Sequence, residues 1–154
     1  MDVRFVTRED TSAIGYAIMV KPMDPEISKL WEKIHGNGDF QRLMAKSGKM
    51  ENFGLCIMQP DRQDDLFKYM IAVDHDPAKE IDADMEQYTV QGGEYAVFHA
   101  PTMAEIKPTF SYIYETWLPT SEYAFDESRN ADFEYYFMDG TDIACAVYVP
   151  VIMK

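Results

Sequence analysis

The sequence is poor in cysteine, in histidine and in positive charge, and each shortage excludes something. Its only cysteines are Cys56 and Cys145, too few for the disulfide framework that holds small secreted domains together. Both sit in apolar, strand-like stretches and read as buried free thiols of a reducing compartment. The three histidines, His35, His75 and His99, are scattered. No HExxH, CxxC, GxSxG or glycine-rich phosphate loop accompanies them, so no metal or cofactor is expected. Lysine and arginine total 14 against 27 aspartates and glutamates, a formal net charge of −13. That balance argues against direct binding to a nucleic-acid backbone, which needs clustered cations. It favours solubility and is compatible with gathering cationic ligands. No uncharged apolar run approaches the ~20 residues of a membrane-spanning helix. The N-terminal MDVRFVTRED has no basic segment leading into a hydrophobic one. The expectation is a cytoplasmic protein without membrane contact.

What is present is a core. Apolar residues make up 47% of the 154 and aromatics 14%, which suits one compact domain over residues 1–154 rather than disorder. A helix is signalled by Asp24 as cap and Pro25 at the first position. Ile27, Leu30, Trp31 and Ile34 then form one apolar stripe, and Gly36 supplies a stop. A second helix starts at Thr102, with Glu105 three residues on as in a capping box. It runs through Ile106, Phe110, Ile113 and Trp117; Pro108 loosens its first turns and Pro119 ends it. Strands are expected at 13–22, 52–58, 67–74, 93–101, 132–138 and 144–151, and an opening strand at 3–8 has a partner near 84–91.

These elements echo. Gly15–Ile18 reappears as Glu94–Val97, Phe53…Met58 reappears as Phe133…Met138, and each helix carries one of the two tryptophans. The fold class expected is α+β: duplicated βαββ units with pseudo-twofold symmetry, halves at about 1–76 and 82–154. It implies an antiparallel sheet with helices on one face; the central ligand cleft of this fold class is what the family resemblance given below implies.

Within the second half, DFEYYF (132–137) sets Glu134 between Phe133 and Tyr135. Strand alternation puts Glu134, Tyr136 and Met138 on one face, matched in the first half by Gly54, Cys56 and Met58. Phe133, Tyr135 and Phe137 share the other with Phe53, Leu55 and Ile57, a face that reads as packing for the helices. Two readings of Glu134 stay open. Its face is simply wetted, or it walls a cleft in which an acid waits for a cation.

Other constellations are weaker. Asp74-His75-Asp76 reads as a strand end and turn, since adjacent strand residues point apart. His99 alternates with Tyr95 and Val97 and reads as partly buried. The 11 methionines, Met19, Met44, Met50, Met58, Met70, Met103 and Met138 among them, read mostly as core filler.

EYAVFHAP (94–101), YIYETWLPTSEY (112–123), DFEYY (132–136) and VYVPV (147–151), taken in order, resemble the GyrI-like small-molecule-binding domain. This is also the effector-binding domain of AraC-type and MerR-type transcription regulators. The resemblance implies a cleft between the repeats that takes hydrophobic, often cationic, small molecules. The acid of the Phe-Glu-x-Tyr strand, here Glu134, would anchor them. By the same motifs Tyr136 and Trp117 would line the pocket; Tyr114, Tyr16 and Phe98 are added from strand and helix geometry. The domain fills the chain, so a stand-alone binding module is expected, acting alone or with a separate regulator or protein target. The alternatives are a hydrolase of reactive small molecules using the same Glu/Tyr pair, or an acidic inhibitor docking on a macromolecule.

Overall fold

The computed structural model describes residues 2–154. The strands are β1 (Val3–Arg8), β2 (Thr11–Val20), β3 (Asn52–Ile57), β4 (Phe67–Asp74), β5 (Glu86–Val90), β6 (Gly93–Ala100), β7 (Tyr123–Phe125), β8 (Ala131–Asp139) and β9 (Asp142–Met153). All pair antiparallel, in the order β1-β6-β9-β8-β3-β4-β2-β5, with the short β7 alongside the end of β9. Each half supplies three adjacent strands, β3-β4-β2 and β8-β9-β6, and the two halves meet at the β3–β8 ladder. The opening strand and β5 are partners only by symmetry. β1 pairs with β6 of the second half and β5 with β2 of the first, so they close opposite edges of the sheet.

The helices follow their sequence signals closely in the first half and loosely in the second. α1 (Glu26–Gly36) begins where expected, and Asp24 Oδ1 accepts from the Glu26 amide at 3.0 Å. A second helix, α2 (Asp39–Ser47), was not expected from the sequence. Its signals are local: Asn37 Oδ1 accepts from the Asp39 amide at 2.9 Å, and Gly48 ends it with φ +68°, the left-handed geometry glycine adopts freely. In the second half Thr102 leads into a tight 3-10 turn, and α3 (Ile106–Tyr112) starts only after it. Ile113–Trp117 then widens into a π-helical turn before α4 (Leu118–Thr120) closes the segment. Pro119 therefore lies inside the last turn rather than just past it.

One expectation is reversed. The aromatic face holding Phe53, Leu55, Ile57 and Phe133 is not the helix-packing face. Those side chains cluster with Val97, Ala146 and Tyr148, and Tyr135 and Phe137 pack on the same cluster. Val6 of β1 and Tyr88 and Val90 of β5 join it from opposite edges, so the sheet is curled around its own aromatic core. The Arg8 guanidinium lies over the Phe133 and Tyr148 rings, 5.4 Å from each centroid. Large side chains let this face fill the curl unaided, which alternation alone does not reveal. The helices instead cover the face that carries Glu134. Leu30 and Ile34 pack on Val20, Tyr69 and Ile71, while Ile113 and Phe110 pack on Phe98 and Val147.

Two smaller expectations also shift, and that of free cysteines holds. His99 is exposed. Met19, Met50, Met58, Met103 and Met138 lie at the surface, and among the described methionines only Met70 and Met85 are buried. The cysteines are free. Cys56 faces Asp132 and Cys145 faces Tyr136, from opposite sides of β8. Four residues of strand separate those positions by about 13 Å, beyond disulfide reach.

Candidate functional site

Glu134 sits in the middle of β8, opposite Gly54 on one side and Val147 on the other. Its residue is 9% exposed. Oε1 accepts two phenol hydrogens, from Tyr69 at 2.8 Å and Tyr136 at 2.9 Å. The Trp31 indole N–H donates in turn to the Tyr69 hydroxyl at 3.0 Å. The same indole stands edge-on to the Tyr136 ring, with centroids 5.4 Å apart. No protein donor reaches Oε2 among the described residues. Nor does any lysine or arginine pair with this carboxylate; every ion pair among the described residues lies elsewhere.

The backbone makes this arrangement possible through one glycine. Tyr69 belongs to β4, with β3 between it and Glu134, and its ring must cross β3 to reach the acid. A Cβ on Gly54 would fall 2.4 Å from both Glu134 Oε1 and the Tyr69 hydroxyl. The notch left by a missing side chain is where the two groups meet. The exchange of carboxylate for space between the two repeats is thus a direct contact across the junction of the halves.

Burial pushes the Glu134 carboxyl up to about 7, against the lowering effect of the two phenols; the neighbouring Asp132 charge adds to the rise. Burial, reinforced by the Glu134 charge, pushes both Tyr69 and Tyr136 far upward. They therefore remain protonated donors. The same causes raise Cys145 to about 12 and hold Cys56 well above the ordinary thiol value, which leaves neither as a thiolate nucleophile near neutrality.

Asp132, two residues before Glu134 on the same face, is a second buried acid, 2% exposed. Its Oδ2 accepts from the Tyr114 hydroxyl, and its Oδ1 has no partner. Burial raises it to about 6.

The residues picked from sequence fall into separate places. Glu134 and Tyr136 are in contact. Tyr114 reaches the same face through Asp132, and the residue as a whole is 39% exposed. Tyr16 lies in the first half, its hydroxyl engaged by Arg42. Trp117 packs edge-on to Phe98 at 5.0 Å and stacks on Tyr123, under the second-half helices. Phe98 is wholly buried there and offers no surface to a ligand in this state. Sequence reasoning misses Trp31, Tyr69 and Asp132. Two of them carry a usable signal: Trp31 lies on the α1 stripe, and Asp132 shares the face of Glu134 by alternation. Tyr69 cannot be found that way, because its reach depends on the β3–β4 pairing. Trp31 of α1 and Phe110 of α3 both pack on the cluster of Tyr136, Cys145 and Ile106. Two surface hollows, of about 440 Å³ near His75 and about 550 Å³ near Arg129, lie away from the acid.

The family model described as the GyrI-like small molecule binding domain matches residues 1–152. The chain belongs to the GyrI-like family. Solved structures agree on the fold of this GyrI-like domain. SAV2435 bound to tetraphenylphosphonium superposes with a TM-score of 0.81 at 19% identity, over 99% of this chain and 94% of that one. A putative bacterial transcription regulation protein from Staphylococcus aureus MU50 gives 0.73 at 19%, over 98% of each chain. The EcmrR C-terminal domain gives 0.63 at 12%, over 99% and 98%. At these identities the likeness is one of fold. Curated proteins gave no match. No helix among the described residues is long and apolar enough to cross a membrane.

Proposed function

We propose that this GyrI-like domain is a receptor for hydrophobic organic cations, with Glu134 as their anchor. The observation that carries the reading is a buried carboxylate that holds only neutral donors, and those on one oxygen. Such a group is costly to ionise in place. A cation entering beside it supplies the missing charge, with roughly 4 kcal/mol of gross attraction at 4 Å and an effective dielectric of ~20, before desolvation is subtracted. Trp31 and Tyr136 add aromatic faces worth about 0.5–2 kcal/mol each toward a cation. A ligand reaching the acid would displace the side chains that cover Tyr136, Trp31 of α1 and Phe110 of α3. A structural relative that was solved with tetraphenylphosphonium supports the same ligand class. In this role the domain senses or sequesters drug-like cations.

The test is a thermal-shift and calorimetric comparison of tetraphenylphosphonium with neutral triphenylphosphine oxide. The cation should stabilise the protein and the neutral compound should do so weakly. Glu134→Gln keeps the shape and removes the charge, and should cost the cation about ten- to a hundredfold in affinity while sparing the neutral compound. Equal losses for both would remove charge pairing as the mechanism.

A further inference from the structure

The anchor has a neighbour that its own role leaves unexplained. Asp132 lies on the same strand face as Glu134, displaced by two residues, or about 7 Å along β8. It is 2% exposed, and its Oδ1 finds no hydrogen-bond donor. No lysine or arginine among the described residues forms an ion pair with it. Directly across the ladder stands Cys56, a weak donor. A carboxylate oxygen at this depth with no nitrogen or oxygen donor, and only that thiol beside it, is expensive to ionise and calls for an explanation.

From the helical side Asp132 is covered by Tyr114. Tyr114 sends its hydroxyl down onto Oδ2, while the residue as a whole stays 39% exposed. It projects from the π-helical turn Ile113–Trp117, a local widening that occurs often at functional sites.

We infer that Asp132 is a second anionic subsite beside Glu134, and that the ligands filling both are organic dications with N–H donors at each charged end. The inference rests on the reading of Glu134 as a cation anchor and narrows its ligand class. A quaternary onium neutralises one carboxylate but has no hydrogen to give the Asp132 oxygen. A diamine or diamidine built on one aromatic ring spans about the strand spacing of the two acids. It places one charged donor on Glu134 Oε2 and the other on Asp132 Oδ1, with the ring between them facing Tyr136 and Tyr114.

The experiment is calorimetry at pH 8, where both acids ionise on binding, with three probes: 1,4-bis(aminomethyl)benzene, benzylamine and tetraphenylphosphonium. The wild-type domain should bind the diamine at least about tenfold tighter than the monoamine. Asp132→Asn should bring the diamine down to the monoamine level and leave tetraphenylphosphonium unchanged. Equal wild-type affinity for the two amines overturns the inference, and needs no variant that folds. An Asp132→Asn loss shared by all three probes overturns it as well, since a general disturbance of the cleft would explain that result. Failure of tetraphenylphosphonium to bind the wild type would instead strike the anchor role of Glu134.

Discussion

Gly54 decides whether Glu134 and Tyr69 can meet. A methyl group there would sit 2.4 Å from both the carboxylate oxygen and the Tyr69 hydroxyl, and 3.1 Å from the ring carbon behind it. Neither group can step aside cheaply: Tyr69 is 1% exposed and Glu134 9%. Gly54→Ala should therefore cost about 1–3 kcal/mol of stability, the usual range for overpacking a buried site. Tetraphenylphosphonium affinity should fall with it, because the Tyr69–Glu134 bond is the first to give. Urea titration of the variant measures the first effect and calorimetry the second. A midpoint change worth less than about 0.5 kcal/mol would show that the notch is not what brings the two groups together.

At the scale of elements, the two tryptophan-bearing helices are equivalent in the repeat and different in what they do with the indole. Trp31 comes off a regular helix and bonds to Tyr69 at the site. Trp117 ends a π-helical turn, which shifts the helical register at that point, and it packs against Phe98, Tyr123 and Phe5 near β1. Tetraphenylphosphonium should then perturb the fluorescence of one indole only. The change should vanish in Trp31→Phe and persist in Trp117→Phe; the opposite pattern would move the ligand under the second-half helices. The same contrast marks the limit of the sequence. Period-2 alternation and the echo of Phe53…Met58 in Phe133…Met138 make the sheet, the repeat and the Gly54–Glu134 pairing legible. The π turn leaves no mark in the apolar spacing, so nothing in the sequence corrects the family resemblance that assigns Trp117 to the cleft. α2 is hidden because its start is an Asn-Gly-Asp turn rather than a cap before a long apolar stripe. Alternation reverses the face that the helices cover, since two apolar faces look alike until the curl decides which one fills itself.

For the whole molecule, two sources of negative charge oppose folding as pH rises, and they can be separated. The surface carries most of the −13 and repels itself; salt screens that term, with a Debye length of ~3 Å at about 1 M. The buried term belongs to Glu134 and Asp132, and salt reaches it far less. Below pH 4.5 Glu134 is protonated in both the folded and unfolded chains, and its titration takes nothing from stability. Between 4.5 and about 7 the unfolded chain releases this proton while the folded one keeps it, so stability falls across that window. The rise from 4.5 to about 7 corresponds to a loss of about 3 kcal/mol, constant at higher pH. Asp132, raised from 3.8 to about 6, adds a fall in the same direction, and the two acids titrate as a coupled pair. Urea unfolding of the free protein in about 1 M salt should therefore still show stability declining from about pH 5 to about pH 8. Glu134→Gln should flatten much of that decline. Saturating tetraphenylphosphonium should do the same in the wild type by supplying the counter-charge, and its affinity should climb as pH rises toward about 7 and then level off. A decline abolished by salt alone would place all of the pH dependence on the surface, and with it deny that the folded protein holds this acid at a cost.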